Sequence, residues 1–213
     1  MNFFTKSGIL CSLIAGSIMV YQSSCKNDSS EPESCPCLER AIFGDPSESL
    51  YLLPFPVGKN YVLSQSYCNP NGGHANQLAY DFAFPIGDTV TAARAGEVLE
   101  IREDLADIGN SSDPGAHNHI FIRHHDGSVS FYAHLQENGV LVEKGDQVQA
   151  GQQIASSGNS GNTGNFPHLH FGVYESWPAK EGFDLAINFR NAVGPLDELG
   201  GLVVDKFYKA GGY

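Results

Sequence analysis

Basic residues are scarce in this chain. Lys and Arg number 12 against 24 Asp and Glu, and the formal net charge at pH 7 is -12. An excess of negative charge repels polyanions, so the composition argues against a nucleic-acid partner and against anionic membrane surfaces. Hydrophobic residues make up 41% of the 213 positions, which is enough for the core of one domain.

Long stretches with helical periodicity are missing as well. Only Glu39–Phe43 suggests a short turn of helix. The 24 glycines, with many Val, Ile, Phe and Tyr, favour short strands joined by tight turns. Strands are predicted at Asn60–Ser66, Leu78–Ala83, Thr89–Ala92, Gly96–Arg102, His119–His124, Ser128–Leu135, Gln147–Ala150, Gln153–Ser156 and His168–Glu175.

The predicted fold class is all-β, a two-layer antiparallel β sandwich or barrel-like domain with long loops lining a groove. A weak internal repeat supports two layers, because Gly87–Ala92 is echoed by Gly145–Ala150. The loops rich in Gly, Asn, Ser and Asp at Glu103–Gly115 and Ser157–Pro167 are the predicted groove walls.

The N-terminus has the pattern of an export signal. Lys6 precedes the apolar stretch Gly8–Val20, which is shorter than a membrane span. The small residues before Cys25 resemble a bacterial lipoprotein cleavage site, although Gln22 stands where such sites usually have Leu. We expect an exported protein of the bacterial envelope, anchored to a membrane through a lipidated Cys25. The alternative is ordinary secretion with cleavage near Ser24.

These signals divide the chain into three segments. We expect a signal peptide, a linker behind the lipidated cysteine and a folded domain, at residues 1–24, 25–37 and 38–213 respectively. Export also bears on the cysteines, because disulfides form in oxidising compartments. Cys68 is therefore expected to pair with Cys35 or Cys37, which leaves one thiol over.

One predicted hairpin places a histidine on a polar face. A two-residue turn at Asp126-Gly127 would set Phe121 opposite Tyr132 and His119 opposite His134. Alternation then gives an apolar core face and a polar groove face that includes His134. The predicted core face holds Ile120, Ile122, His124, Val129, Phe131, Ala133 and Leu135, and the groove face His119, Phe121, Arg123, Ser130, Tyr132 and His134.

The run His168-Leu169-His170 is the sharpest local signal for chemistry. On a strand, residues i and i+2 point to the same face, so the two imidazoles project side by side while Leu169 and Phe171 face the core. Two charged imidazoles would repel each other, so the pair is best explained by a cation. Imidazoles with a carboxylate suit zinc and leave imidazole for proton transfer.

Four motifs in this order resemble peptidase family M23, the lysostaphin and LytM type of zinc metallopeptidase. They are Gly-His…Tyr-Asp-Phe-Ala, Gly-Asp-Thr-Val-Thr-Ala, Tyr-Ala-His-Leu and Gly-Asn-Thr-Gly…His-Leu-His-Phe, which together span about residues 53–174. The resemblance implies that Zn²⁺ is bound by His74, Asp81 and His170, and that His134 and His168 are catalytic. It implies a zinc metalloendopeptidase that hydrolyses stem or cross-link peptides of peptidoglycan, with no further cofactor.

The chain departs from the family at its first motif. The family's usual spacing leaves three residues between the histidine and the aspartate, whereas six separate His74 from Asp81 here. Of the other histidines, only His119 is given a supporting role, because it is predicted opposite His134. The alternative function is a noncatalytic relative that binds and activates a cell-wall hydrolase. A biotinyl- or lipoyl-like carrier is disfavoured, because no lysine occupies the predicted hairpin tip.

Overall fold

The computed structural model describes residues 36–113 and 115–212. The expected signal peptide, Cys25 and Cys35 lie outside these residues. Within them, no helix has the length and apolar character needed to cross a bilayer. The described elements are a helix α1, a 3-10 turn and twelve strands: α1 Pro36–Arg40, Pro46–Glu48, β1 Asn60–Gln65, β2 Ala79–Phe82, β3 Thr89–Thr91, β4 Gly96–Arg102, β5 His119–Arg123, β6 Val129–Ala133, β7 Leu135–Val140, β8 Gln147–Val148, β9 Gln153–Ser157, β10 Leu169–Tyr174, β11 Ala192–Val193 and β12 Phe207–Ala210.

The strands form two antiparallel sheets. The larger has nine strands in the order β11-β12-β1-β2-β10-β6-β5-β4-β8, and the smaller has three in the order β3-β9-β7. Buried side chains from both sheets belong to one hydrophobic core, as Phe171 and Ile120 of the larger sheet and Ile154 of the smaller one show. The prediction of an all-β, two-layer antiparallel domain is confirmed.

The central strands bring the chemical residues into one row across the larger sheet. His170 on β10 is the register partner of Asp81 on β2 and of Ala133 on β6. Ala133 is in turn paired with His119 on β5. Register partners point to the same face of a sheet, so this row places an aspartate beside a histidine that lies far away in sequence.

The predicted register of the β5–β6 hairpin is wrong by one residue. His119 pairs with Ala133 and Phe121 with Phe131, because the loop has three residues rather than two. Gly127 takes the left-handed position of that loop, with φ 89°. A slip of one residue exchanges the two faces of β6. Phe131 and Ala133 therefore line the groove, whereas Ser130 and Tyr132 are fully buried on the core side.

His134 reaches the groove for a different reason from the predicted alternation. In the observed register, alternation would turn it to the side of Tyr132, toward the core. Its φ of 63° interrupts the strand between β6 and β7, and Leu135 then joins the smaller sheet opposite Ser157. Histidine is one of the side chains that tolerate this left-handed conformation. The break sends His134 into the groove beside Ala133.

The N-terminal helix is fastened to the loop that follows β1. A disulfide joins Cys37 on α1 to Cys68, which confirms one of the two predicted pairings. Arg40 forms an ion pair with Asp184 and donates to the carbonyl oxygen of Asn76 at 2.9 Å. These contacts fix both ends of the segment between β1 and β2.

Three of the observed strands were not predicted from the sequence, namely β7, β11 and β12.

Candidate metal centre

Three side chains converge on one point at the floor of the groove. His74 Nε2 lies 3.1 Å from His170 Nδ1 and 3.2 Å from Asp81 Oδ1, and the last two atoms are 2.9 Å apart. His74 and Asp81 are buried, and the side chain of His170 is only 12% exposed. These are the three residues expected to hold a metal, and the fold brings them together from a loop and from two neighbouring strands.

Backbone carbonyls orient three of the histidines. Nδ1 of His74 donates to Ser66 O at 3.1 Å, Nδ1 of His134 to Ser160 O at 2.8 Å, and Nδ1 of His168 to Phe166 O at 2.8 Å. A ring that donates through Nδ1 keeps a lone pair on Nε2 when it is neutral. For His74 that lone pair points at the cluster, as seen for metal-binding histidines held by a carbonyl.

Asp81 is ionised within the cluster. Burial alone would raise the pKa of its carboxyl group, but His170 and His74, when protonated, outweigh burial through hydrogen bonds and charge and hold the pKa well below its usual value. Gln65 Nε2 donates to the second oxygen, Oδ2, at 3.0 Å. The carboxylate therefore presents Oδ1 to the two histidines in a fixed orientation.

The donor set fits zinc. Two imidazole nitrogens and one carboxylate oxygen are ligands that zinc accepts, and three protein ligands are typical of a catalytic rather than a structural site. Donors about 2.0–2.1 Å from a tetrahedral ion lie roughly 3.3 Å apart, close to the spacing seen here. Acceptor atoms gathered at this distance would repel one another unless a proton or a cation lay between them.

His134 and His168 lie beside this cluster. Their ring centroids are 4.6 Å apart, and His168 Nε2 is 3.6 Å from Asp81 Oδ2. Burial, followed by the nearby His168 and His170, lowers the pKa of His134 to about 3. His134 is therefore a neutral imidazole near pH 7, with Nε2 able to accept a proton.

Comparison with known proteins bears on what such a centre does. The sequence model of peptidase family M23 matches residues 75–183, which is half of the chain. The chain belongs to peptidase family M23. The matched segment contains Asp81, His134, His168 and His170, and it begins one residue after His74. The departure in spacing therefore falls at the edge of the M23 match.

Similar proteins are described as endopeptidases and as lipoproteins. The chain is 36% identical over 126 residues to "Peptidoglycan DD-endopeptidase ShyB" of Vibrio cholerae, covering 56% of this chain and 26% of that one. It is 34% identical to "Outer membrane antigenic lipoprotein B" of Histophilus somni, covering 54% and 29%. Among solved structures, a zinc-containing peptidase from Vibrio cholerae is 31% identical with a TM-score of 0.44, covering 59% and 37%. The chain spans about a third or less of the length of these curated relatives.

The structure explains how His74 reaches the centre despite its M23-atypical spacing. Gln77 stands where the family's usual spacing puts the first histidine. Its N–H bonds to His74 O at 3.2 Å, and its carbonyl oxygen accepts from Cys68 N–H at 2.9 Å. These hydrogen bonds hold the loop in a compact turn. His74 therefore reaches Asp81 from a position three residues before Gln77.

The groove above the centre includes residues that sequence reasoning missed. It is a cavity of about 510 Å³ whose lining includes three residues not predicted there, His117, Phe131 and Tyr174. The His117 ring lies 5.7 Å from that of His134, although no role was predicted for His117 from the sequence. Phe131 was missed because the wrong register placed it in the core.

Of the two loops predicted as groove walls, only one lines the groove, and His119 lies outside it. Asn162 and Thr163 make the loop before β10 a wall of the groove, as predicted. The described residues of the loop after β4 do not line the groove; they support that wall from behind, for example where Gly109 O accepts from Thr163 Oγ1 at 3.2 Å. His119 bonds to Glu100 at 3.2 Å and does not line the cavity. Its predicted place opposite His134 is wrong, since its register partner is Ala133.

Proposed function

We propose that this chain is a zinc endopeptidase that hydrolyses peptide bonds in the stem or cross-link peptides of bacterial peptidoglycan. The observation that carries the proposal is the convergence of His74, Asp81 and His170 within 3.2 Å, with two further imidazoles on the same face. A purely structural role would not need two buried histidines beside three ligands with an open groove above them.

His74 Nε2, Asp81 Oδ1 and His170 Nδ1 would hold the ion. Zinc bound there would lower the pKa of a water molecule and polarise the carbonyl group of the scissile bond. Gln65 and the carbonyl oxygen of Ser66 keep Asp81 and His74 in position. Loss of such supporting contacts commonly weakens metal binding by about tenfold to a hundredfold.

His134 is the proposed general base. Its Nδ1 is fixed by Ser160 O, and its low pKa keeps Nε2 unprotonated at neutral pH. A positioned neutral imidazole accepts the proton of the attacking water and returns it to the leaving amine.

His168 is the proposed donor to the developing oxyanion. Its Nδ1 donates to Phe166 O, so protonation at Nε2 makes a second donor that faces the groove. The His168 Nε2 atom lies 3.6 Å from Asp81 Oδ2, beside the proposed metal ligands. A donor aimed at the charge that develops in the transition state accelerates the reaction.

The substrate class follows from the relatives and from the expected location. "Peptidoglycan DD-endopeptidase" is the printed description of the Vibrio cholerae relative, and lipoproteins are among the other matches. An envelope lipoprotein with an open groove meets peptidoglycan directly.

Replacing Cys25 by Ser tests the membrane anchor. The variant should move from the membrane fraction to the soluble fraction, and an intact mass with no lipid on the wild-type chain would contradict this anchoring.

Digestion of purified sacculi tests the function. The purified protein with one equivalent of zinc should release soluble fragments, and mass spectrometry of their ends should identify a hydrolysed peptide bond. A protein that binds zinc but releases nothing would contradict the proposal. If it then increased release by a separate cell-wall hydrolase, the noncatalytic alternative would be correct.

A further inference from the structure

A row of aromatic rings leads out of the groove. Phe131 lines the cavity, and its ring lies 5.6 Å from that of His170. Phe121 stacks on Phe131 at 4.5 Å between centroids, and Trp177 packs edge-on against Phe121 at 4.9 Å. These three residues, Phe131, Phe121 and Trp177, form an aromatic platform that is continuous with the candidate metal centre.

The platform keeps ring surface open to solvent. Trp177 is 39% exposed and Phe121 is only half-buried, although aromatic side chains usually bury most of their surface when they can. Single exposed apolar residues are common and need no explanation. Rings in mutual contact at the mouth of a polar cavity are instead typical of a ligand site.

Polar groups border the rings on one side. Glu100 is the register partner of Phe121, its side chain is 48% exposed, and it accepts a hydrogen bond from His119 Nε2 at 3.2 Å. A ligand that fits this arrangement offers an apolar face to the rings and hydroxyl groups to the carboxylate. A pyranose sugar has both surfaces, whereas an aliphatic peptide side chain has only the first.

The platform lies within reach of a sugar joined to the bound peptide. Steps of 5.6, 4.5 and 4.9 Å separate His170 from Trp177 ring by ring. An extended peptide covers about 3.3–3.6 Å per residue, so roughly four to five residues span that length. In peptidoglycan the stem peptide is attached to the glycan strand, which would place a sugar ring near the far end of the platform.

We propose that the aromatic platform is a subsite for a sugar ring of the glycan strand, with Trp177 as its main contact. This inference rests on the proposed function for its choice of ligand. It assigns the groove face of β5 and β6 a role in recognising the polysaccharide while the metal centre acts on the peptide. A ring-stacking contact of this kind is worth roughly threefold to tenfold in affinity.

The chain offers a direct probe, because Trp177 is its only tryptophan. The full chain is titrated with glycan strands freed of their peptides and, separately, with free stem peptide, while tryptophan emission is recorded. We expect emission to shift with the glycan strands. A shift with the stem peptide alone, or no shift with either ligand, would overturn the proposal.

Calorimetry with the same glycan strands tests the contact by substitution. Trp177→Ala should weaken binding roughly threefold to tenfold, and Trp177→Phe should restore most of the loss, because a ring is kept. Phe207→Ala is the matched control, since it removes an aromatic that is 63% exposed on β12 at the other end of the sheet. Equal binding by the wild type and Trp177→Ala would refute the subsite.

Turnover distinguishes this inference from the proposed function. Trp177→Ala should lower kcat/KM on a substrate that carries its disaccharide by roughly threefold to tenfold more than on the sugar-free peptide. Absence of cleavage of either substrate by the wild type would count against the function. The fluorescence titration needs no turnover and would still decide on the platform.

Discussion

The Cys37–Cys68 disulfide should contribute several kcal/mol to stability. It closes a loop across a sequence separation of 31. In the chain-entropy description, a cross-link over that length removes about 12 cal/mol/K from the unfolded state, or about 3.7 kcal/mol at 25 °C. Replacing Cys35 and Cys37 by Ser removes both possible partners of Cys68. We expect the free energy of unfolding to fall by about 2–4 kcal/mol.

Equilibrium urea unfolding measures this loss. The control is the Cys35→Ser protein, which keeps the observed disulfide and should unfold like the wild type. A loss below about 1 kcal/mol in the double variant would show that the disulfide does not stabilise the fold by constraining the unfolded chain. Because Cys68 begins the loop that carries His74, the double variant should also release zinc faster than the control.

Two further predictions concern the metal and the pH dependence of folding. His74→Ala should lose most of its bound zinc by elemental analysis, whereas Gln77→Ala, at the family's usual ligand position, should keep it; the reverse result would reassign the ligand. Burial lowers the pKa of His124 to about 4. Below pH 6.5 the unfolded chain therefore binds a proton at His124 that the native state does not bind. The free energy of unfolding should fall by about 3 kcal/mol as the pH drops from 6.5 to 4. His124→Asn should flatten that dependence in urea titrations, and an unchanged slope would contradict it.

The sequence predicts features that depend on local periodicity. The strand bearing His168 and His170 was predicted with both imidazoles on one face, and the burial of Leu169 and Phe171 confirms it. Alternation of side chains along a strand needs no knowledge of its neighbours. For the same reason, Gly96–Arg102 was predicted with the bounds that the structure has.

Features that depend on one extra residue were not predictable in this way. The three-residue loop around Gly127 differs from a two-residue turn by a single position, yet it exchanges the faces of Phe131 and Tyr132. The left-handed backbone at His134 then turns this one side chain back toward the groove. Two departures from ideal geometry cancel at His134, so its place in the groove was predicted through an incorrect register.

The position of His74 required tertiary contacts. Nothing in its spacing from Asp81 indicates that the two side chains meet. The loop is shaped by the Cys37–Cys68 disulfide and by the hydrogen bond from Arg40 to Asn76 O. The hydrogen bond from His74 Nδ1 to Ser66 O then orients the ring. These partners lie up to 36 residues away along the chain. The family resemblance supplied what periodicity could not.

Zinc content and turnover, measured on the same sample of His134→Asn, show whether metal binding and proton transfer are separate in this protein. Asn tolerates the left-handed backbone at this position, and its amide replaces the Nδ1 donor to Ser160, so the fold should be kept. We expect one bound zinc and a fall in turnover on sacculi of roughly 10²–10⁴, the usual contribution of a positioned base. The matched His170→Ala protein should lose both zinc and activity. Full turnover by His134→Asn, or loss of its zinc, would contradict the separation of metal binding from proton transfer on which the mechanism depends.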